Sequence, residues 1–270
     1  MPAYRIAKHW DQIAYFLYQM DPQPDKWIFC ENNSPDDTVY RLARFKRPHE
    51  LIRFWVRRNV ACYSDTMFDI IAIARQFLLQ RARQLDPDWA VLIDSDIEVL
   101  TPNILDRLTS HDCVEVANDP HTRRCDIVGA PYLRWSPVGT YLSCAWQLPY
   151  GPRINPEAMF LKEPMRLWDT WMAAVSGGCM ALSRRILQDR RLNFYPVERP
   201  ELDVKAGEDF SYCLDARRLR YVIGLDSSVK LGHLNRMTLW GDSPWQVDEN
   251  LKLPIFEYPE TSESKVGEGD

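Results

Sequence analysis

The chain has 270 residues, of which 46% are apolar and 26% charged, a composition of the ordinary soluble globular class with enough length for a substantial core in one large domain or two small ones. A net charge of −5 and a pI near 5.6 argue against a dedicated nucleic-acid binder, which carries a basic surplus. No apolar run reaches the ~20 residues that cross a bilayer, and the opening Met1-Pro-Ala-Tyr-Arg-Ile6 has no signal-type apolar region, so we expect a cytoplasmic protein without a transmembrane segment. The seven cysteines are scattered and form no C-x-x-C pair, which leaves them as buried small hydrophobes rather than a zinc site or disulfide framework.

In chain order, Ile13–Tyr18 reads as a first helix after a short opening strand. Lys26–Glu31 is a strand that runs into Asn32-Asn-Ser-Pro-Asp-Asp-Thr38, a cluster of turn formers and helix caps. A strand, a polar loop and a helix make a βα unit, and such a loop can present acceptors to a ribose or nucleobase. Good helix capping accounts for Asp36, Asp37 and Thr38, but less well for Glu31 and Asn33. Leu51–Val56 is a further strand. From Thr66 to Leu85 apolar residues recur at three- and four-residue steps, the helical period, with Thr66 and Asp69 spaced as a capping box. Arg75 lies beside that stripe, where a snorkelling arginine is the plain expectation.

Val91-Leu-Ile93 is a short buried strand that stops at two carboxylates, Asp94 and Asp96, with Ser95 between them. Open α/β sheets bind their ligands outside the carboxyl ends of strands. Two acids there repel and lose hydration, and a divalent cation, Mn²⁺ or Mg²⁺, is an economical compensation because it takes hard oxygen ligands. A solvated Asp-x-Asp turn is the bland alternative. Thr101–Leu108 reads as a short helix and Asp126–Ala130 as a buried strand. The stretch 131–164, with Trp135, Tyr141, Trp146 and Tyr150, lacks periodicity and is taken as the wall of a variable binding site.

Ser176-Gly177-Gly178 interrupts the apolar run 171–183, which suggests close approach by a ligand or another backbone, or else a hairpin or bulge. Glu208 and Asp209 open an amphipathic helix, where the helix dipole favours negative charge. Tyr221–Asp226 is a strand, and His233 ends the return stretch that begins at Val229. Residues 261–270 have a disordered composition.

The ordered set Glu31–Thr38, Ile73-Ala-Arg-Gln76, Asp94-Ser-Asp96, Ser176-Gly-Gly178 and Gly207-Glu-Asp209 leading to His233 resembles a GT-A glycosyltransferase, over roughly residues 26 to 235. It is similar to family 2-like enzymes and, around Ala74-Arg75 and Asp-Ser-Asp, to the yeast mannan-polymerase type. Gln76 departs from the asparagine usual in that type, and no late Gln-x-x-Arg-Trp motif is present, which argues against a processive polysaccharide synthase. The resemblance implies an α/β fold with a mixed, mostly parallel sheet flanked by helices, in one Rossmann-like GT-A domain. That domain would span residues 1–245, with a nucleotide-sugar half to about 110, an acceptor half from 111 to 245, and a tail at 246–270.

The resemblance also implies roles. Asp94, Asp96 and His233 would hold Mn²⁺ or Mg²⁺. Glu31, Asn33, Arg75, Asp94, Ser95, Ser176, Gly177 and Gly178 would bind the UDP- or GDP-sugar donor. Asp209, with Glu208 beside it, would be the catalytic base for a hydroxyl acceptor on a glycan, protein or small molecule. Two alternatives stand beside this hexosyltransferase reading: a sugar-1-phosphate nucleotidyltransferase, whose Gly-rich phosphate loop is missing before Asp36, and a carbohydrate-binding homologue without turnover.

Overall fold

The computed structural model describes residues 1–54, 63–110, 125–130, 132–135, 141–143, 145–147, 157–158, 166–168, 172–194, 207–226 and 229–233. The first half runs β1 (Pro2–Ala3), α1 (Trp10–Gln19), β2 (Trp27–Asn32), α2 (Thr38–Ala43), β3 (His49–Phe54), α3 (Tyr63–Leu85), β4 (Trp89–Ile93), β5 (Ile97–Val99) and α4 (Ile104–Thr109). The second half begins with β6 (Ile127–Gly129), β7 (Leu133–Trp135), β8 (Tyr141–Ser143), β9 (Ala145–Gln147), β10 (Glu157–Ala158) and β11 (Arg166–Trp168). It continues with β12 (Met172–Val175), β13 (Cys179–Ser183), α5 (Arg184–Leu187), α6 (Glu208–Arg218), β14 (Ile223–Asp226) and β15 (Leu231–His233).

Strands β1, β2 and β3 form a parallel sheet, so their carboxyl ends share one edge. The larger sheet has the order β11-β14-β6-β13-β4, with β14 parallel to β6 and β13 antiparallel to both of its neighbours. Because side chains alternate across a strand, consecutive residues feed opposite layers. Ile28, Cys30, Leu92, Ile127, Met180 and Leu182 pack with α3 and α6, whereas Phe29, Ile93, Val128, Cys179 and Ala181 pack with α1 and α4. Each layer draws on strands of both sheets, which is the signature of helices flanking an α/β sheet on two faces. The fold is therefore the mixed, Rossmann-like α/β architecture that was expected.

The expected elements recur with shifted ends. Helix α3 is already formed at Tyr63, so Thr66 lies within it and does not start it. The stretch 131–164 is less irregular than its composition suggests, because β7 pairs with β8 and β9 with β10 in antiparallel ladders. Trp135, Tyr141 and Trp146 fall on those short strands, while Tyr150 and the expected tail at 246–270 lie outside the described residues. The glycine pair marks neither a hairpin nor a bulge. Strand β12 pairs with β9 and β13 inserts between β4 and β6, so Ser176-Gly177-Gly178 is where the chain changes sheet. Cys30, Cys125, Cys179 and Cys213 are buried free thiols, as small hydrophobes would be. Among the described residues no helix is long and apolar enough to cross a membrane.

Candidate functional site

Asp94 follows the last residue of β4, and the chain turns there, with Ile97 N–H donating to the Asp94 carbonyl at 3.2 Å. Ser95 and Asp96 form the tip of that turn and are half-buried. Beyond it β5 leaves the large sheet and pairs with β15, where His233 stands opposite Ile97. The backbone thus brings residue 233 next to the Asp-Ser-Asp turn.

Arg75 reaches this turn from α3. It is 3% exposed and so does not snorkel, contrary to expectation. One terminal nitrogen donates to Asp94 Oδ2 at 2.7 Å. The other donates to Glu208 Oε1 and lies 3.9 Å from Asp209 Oδ2. A single guanidinium therefore gathers carboxylates from the end of β4 and the start of α6, 133 residues away in sequence in the case of Glu208.

The Ser-Gly-Gly turn ties the same acids through its main chain. Gly178 carbonyl accepts from Asp94 N–H at 2.9 Å, and Gly177 N–H donates to Asp209 Oδ2 at 2.9 Å. Ser176 Oγ lies 3.3 Å from Asp209 Oδ2 and 2.8 Å from the Tyr132 hydroxyl, while Phe210 N–H donates to Asp209 Oδ1 at 2.7 Å. Glycine is needed at both positions for want of space. A Cβ on Gly177 would fall 2.5 Å from Arg75 Cζ, and one on Gly178 would run into the Tyr132 hydroxyl. The close approach foreseen for these glycines is thus made by two protein side chains. Tyr132 was not singled out by sequence, and its only signal there was its place at the start of the aromatic stretch.

Charge is in surplus here. Burial raises the Asp94 carboxyl above the usual carboxylate range, Arg75 opposes this, and Asp96 and Asp209 add to it. Burial also pushes Glu208 up to about 7, against Arg75 and helped by Asp209 and Asp94. For Arg75, burial works against the charge, but Asp94, Glu208 and Asp209 outweigh it and hold the guanidinium cationic. Glu208 is as buried as Arg75, whereas the Asp94 and Asp209 side chains keep 21% and 15% of their surface open. These two aspartates, with the half-buried Asp96 on the turn, are the acids a ligand can reach.

The remaining candidates divide. Glu31 is fully buried and both its oxygens are used, one by Ser34 N–H and the other by Arg53 Nε at 3.4 Å. It closes its own turn. Asn33 is exposed with φ 38°, so of the two it is the residue the loop presents outward. Asp36 and Thr38 dock that loop onto the stretch after β1, accepting from Ala7 N–H at 3.3 Å and Ile6 N–H at 2.9 Å. Gln76 serves structure, donating to Asn193 and accepting from Phe194 N–H at 2.8 Å.

A divalent cation has a specific opening. Asp94 Oδ1 is buried and, among the described residues, has no hydrogen-bond donor, and such an acceptor costs free energy until a donor or cation meets it. The donor set is oxygen, which suits Mg²⁺ or Mn²⁺. Among the described residues, however, no three His, Cys, Asp or Glu side chains lie together in a way that could hold a metal unaided. The guanidinium occupies the middle of the acid group instead.

No family model matches the chain, and no curated protein matches it either. Solved structures do. TarS 1–349 of S. aureus is similar at 15% identity and a TM-score of 0.51, over 86% of this chain and 58% of that one. The same protein in complex with UDP gives 14% identity, a TM-score of 0.50 and the same coverage. The chain thus spans somewhat over half of those structures, and the likeness shows the fold. A197 from STIV aligns over 79% of this chain and 92% of its own at 14% identity, with a TM-score of 0.41.

Proposed function

We propose that the protein is a metal-dependent glycosyltransferase that moves a sugar from a nucleotide-sugar donor to a hydroxyl acceptor. The observation that carries this reading is the convergence of Asp94, Glu208 and Asp209, from elements far apart in sequence, on Arg75 and the Ser176-Gly177-Gly178 turn. The fold shared with TarS, one structure of which holds UDP, supports it.

In this reading Asp94, Asp96 and His233 hold Mn²⁺ or Mg²⁺, with the unmet Asp94 Oδ1 as the oxygen most in need of it. The ion, when bound, neutralises the charge that develops on the leaving diphosphate. Asn33 and Ser95 lie at the carboxyl edge, where the nucleoside would sit. Asp209 accepts the proton of the acceptor hydroxyl as it attacks the anomeric carbon. Gly177 N–H, Ser176 Oγ and Phe210 N–H hold that carboxylate in one orientation, and the first turn of α6 adds the positive end of its dipole.

Thermal-shift measurement of the protein with Mn²⁺ and a panel of nucleotides and nucleotide-sugars tests the proposal. A ligand at 100 times its Kd should stabilise by about 2.7 kcal/mol and raise Tm accordingly. The nucleotide-sugar that does so should be hydrolysed slowly in the absence of an acceptor. A panel in which no nucleotide or nucleotide-sugar moves Tm would sink the reading.

A further inference from the structure

Arg75 is placed for something other than holding a nucleotide. It is buried, both terminal nitrogens are committed to carboxylates, and Gly177 leaves the room it fills. Among the described residues the network is also incompletely satisfied, since Arg75 Nε lacks an acceptor and Asp94 Oδ1 lacks a donor. A guanidinium kept only for stability would be expected to use its donors more fully, because unmet buried polar atoms are costly. What the arrangement does secure is spacing, because a planar fork offers its donors at fixed separation and direction.

From this geometry we infer that Arg75 is a positioning residue, which holds the carboxylate of Asp94 at the end of β4 against those of Glu208 and Asp209 at the start of α6. The acid beside the diphosphate and the acid that takes the acceptor proton then keep one mutual distance while a ligand enters. This rests on the sugar-transfer reading above. It assigns Arg75 no contact with donor, acceptor or metal. A small misplacement of such groups is enough to slow a reaction by ~10²-fold.

Two substitutions disturb the fork and keep a positive charge in the chain. Arg75→Lys replaces it by a single ammonium, and Gly177→Ala pushes the guanidinium aside. The full chain and both variants, with folding checked by circular dichroism, are assayed with Mn²⁺ for kcat and KM on the nucleotide-sugar that the wild type turns over. UDP affinity is measured by calorimetry in EDTA, so that metal binding at Asp94 does not enter. We expect kcat to fall by about tenfold or more in both variants, with the Kd for UDP within about threefold of wild type, a change of at most ~0.7 kcal/mol. Arg75→Met, which cannot reach the acids with any donor, should show no recovery over Arg75→Lys. A Kd for UDP weakened tenfold or more would make Arg75 a nucleotide contact and overturn the inference, as would an unchanged kcat in either folded variant. If one variant fails to fold, the other decides. A wild type that turns over no nucleotide-sugar is a different failure, because it removes the transfer reading and this inference with it.

Discussion

Helix α3 carries two arginines that reach into the fold, eight residues and so about 12 Å apart along its axis, and they do opposite things. Arg83 meets neutral acceptors: its nitrogens donate to the carbonyls of Leu187, Asp189 and Leu192 at 2.6–2.7 Å and to Asn193 Oδ1 at 3.2 Å. It clips the loop after α5 to the helix. Arg75 meets carboxylates, more of them than one cation can neutralise, and leaves buried atoms unmet on both sides. The difference separates a stability device from a site. At the Arg83 end every guanidinium nitrogen donates to a protein acceptor, whereas at the Arg75 end, among the described residues, three carboxylates share one guanidinium, a negative surplus that a bound cation or a proton would relieve.

Substituting both arginines is the sharpest way to break the comparison. Arg75→Met strands Asp94 and Glu208 in the interior and should cost about 3–5 kcal/mol, as loss of one partner of a buried ion pair does. Asp209→Asn should leave UDP binding with Mn²⁺ nearly intact and slow transfer by ~10²-fold or more, which steady-state kinetics beside calorimetry would register; equal turnover removes Asp209 as the base. Arg83→Met, which removes the donors to three carbonyls and Asn193, should cost about 1–3 kcal/mol in urea unfolding and leave kcat alone. A kcat that falls with Arg83 would erase the distinction drawn above. Asp96→Ala should weaken UDP binding in Mn²⁺ by about tenfold, ~1.4 kcal/mol, and have little effect on UDP binding in EDTA.

The smallest effect belongs to the structural end and depends on pH. Arg191 and the Tyr221 hydroxyl bond the Asp189 carboxylate and hold it well below the usual carboxylate range. A lowered folded-state pKa gives stability that is present above the unfolded value of about 3.9 and is lost as pH falls through the folded value. The Tm difference between wild type and Asp189→Asn should therefore be constant from pH 7 to about pH 5 and should narrow below about pH 4. A difference that widens in acid would reverse the sign.

What could be read from sequence was whatever is written locally. The apolar run ending in Asp94-Ser95-Asp96, the three- and four-residue period of α3 and the acids at the start of α6 each announce their element within a few residues. The burial of Arg75 is not local: it depends on Asp94 and Glu208 arriving from elsewhere, and on a glycine at 177 for room. The contacts of Glu31 are likewise not local, since its partners Ser34 and Arg53 lie in the following loop and the next strand. The period of a strand says which faces are covered but not which strand lies beside it. The antiparallel insertion of β13, and with it the change of sheet at the glycines, was therefore hidden.

That change of sheet has a mechanical corollary. Adjoining residues hold the main-chain N–H of Asp94, through the carbonyl of Gly178, and the carboxylate of Asp209, through the amide of Gly177. Glycine backbones have the softest torsions in any chain. The backbone of the Asp-Ser-Asp turn and the side chain of Asp209 thus share one anchorage, and a change in the backbone at 177 and 178 would be felt on both sides of the site.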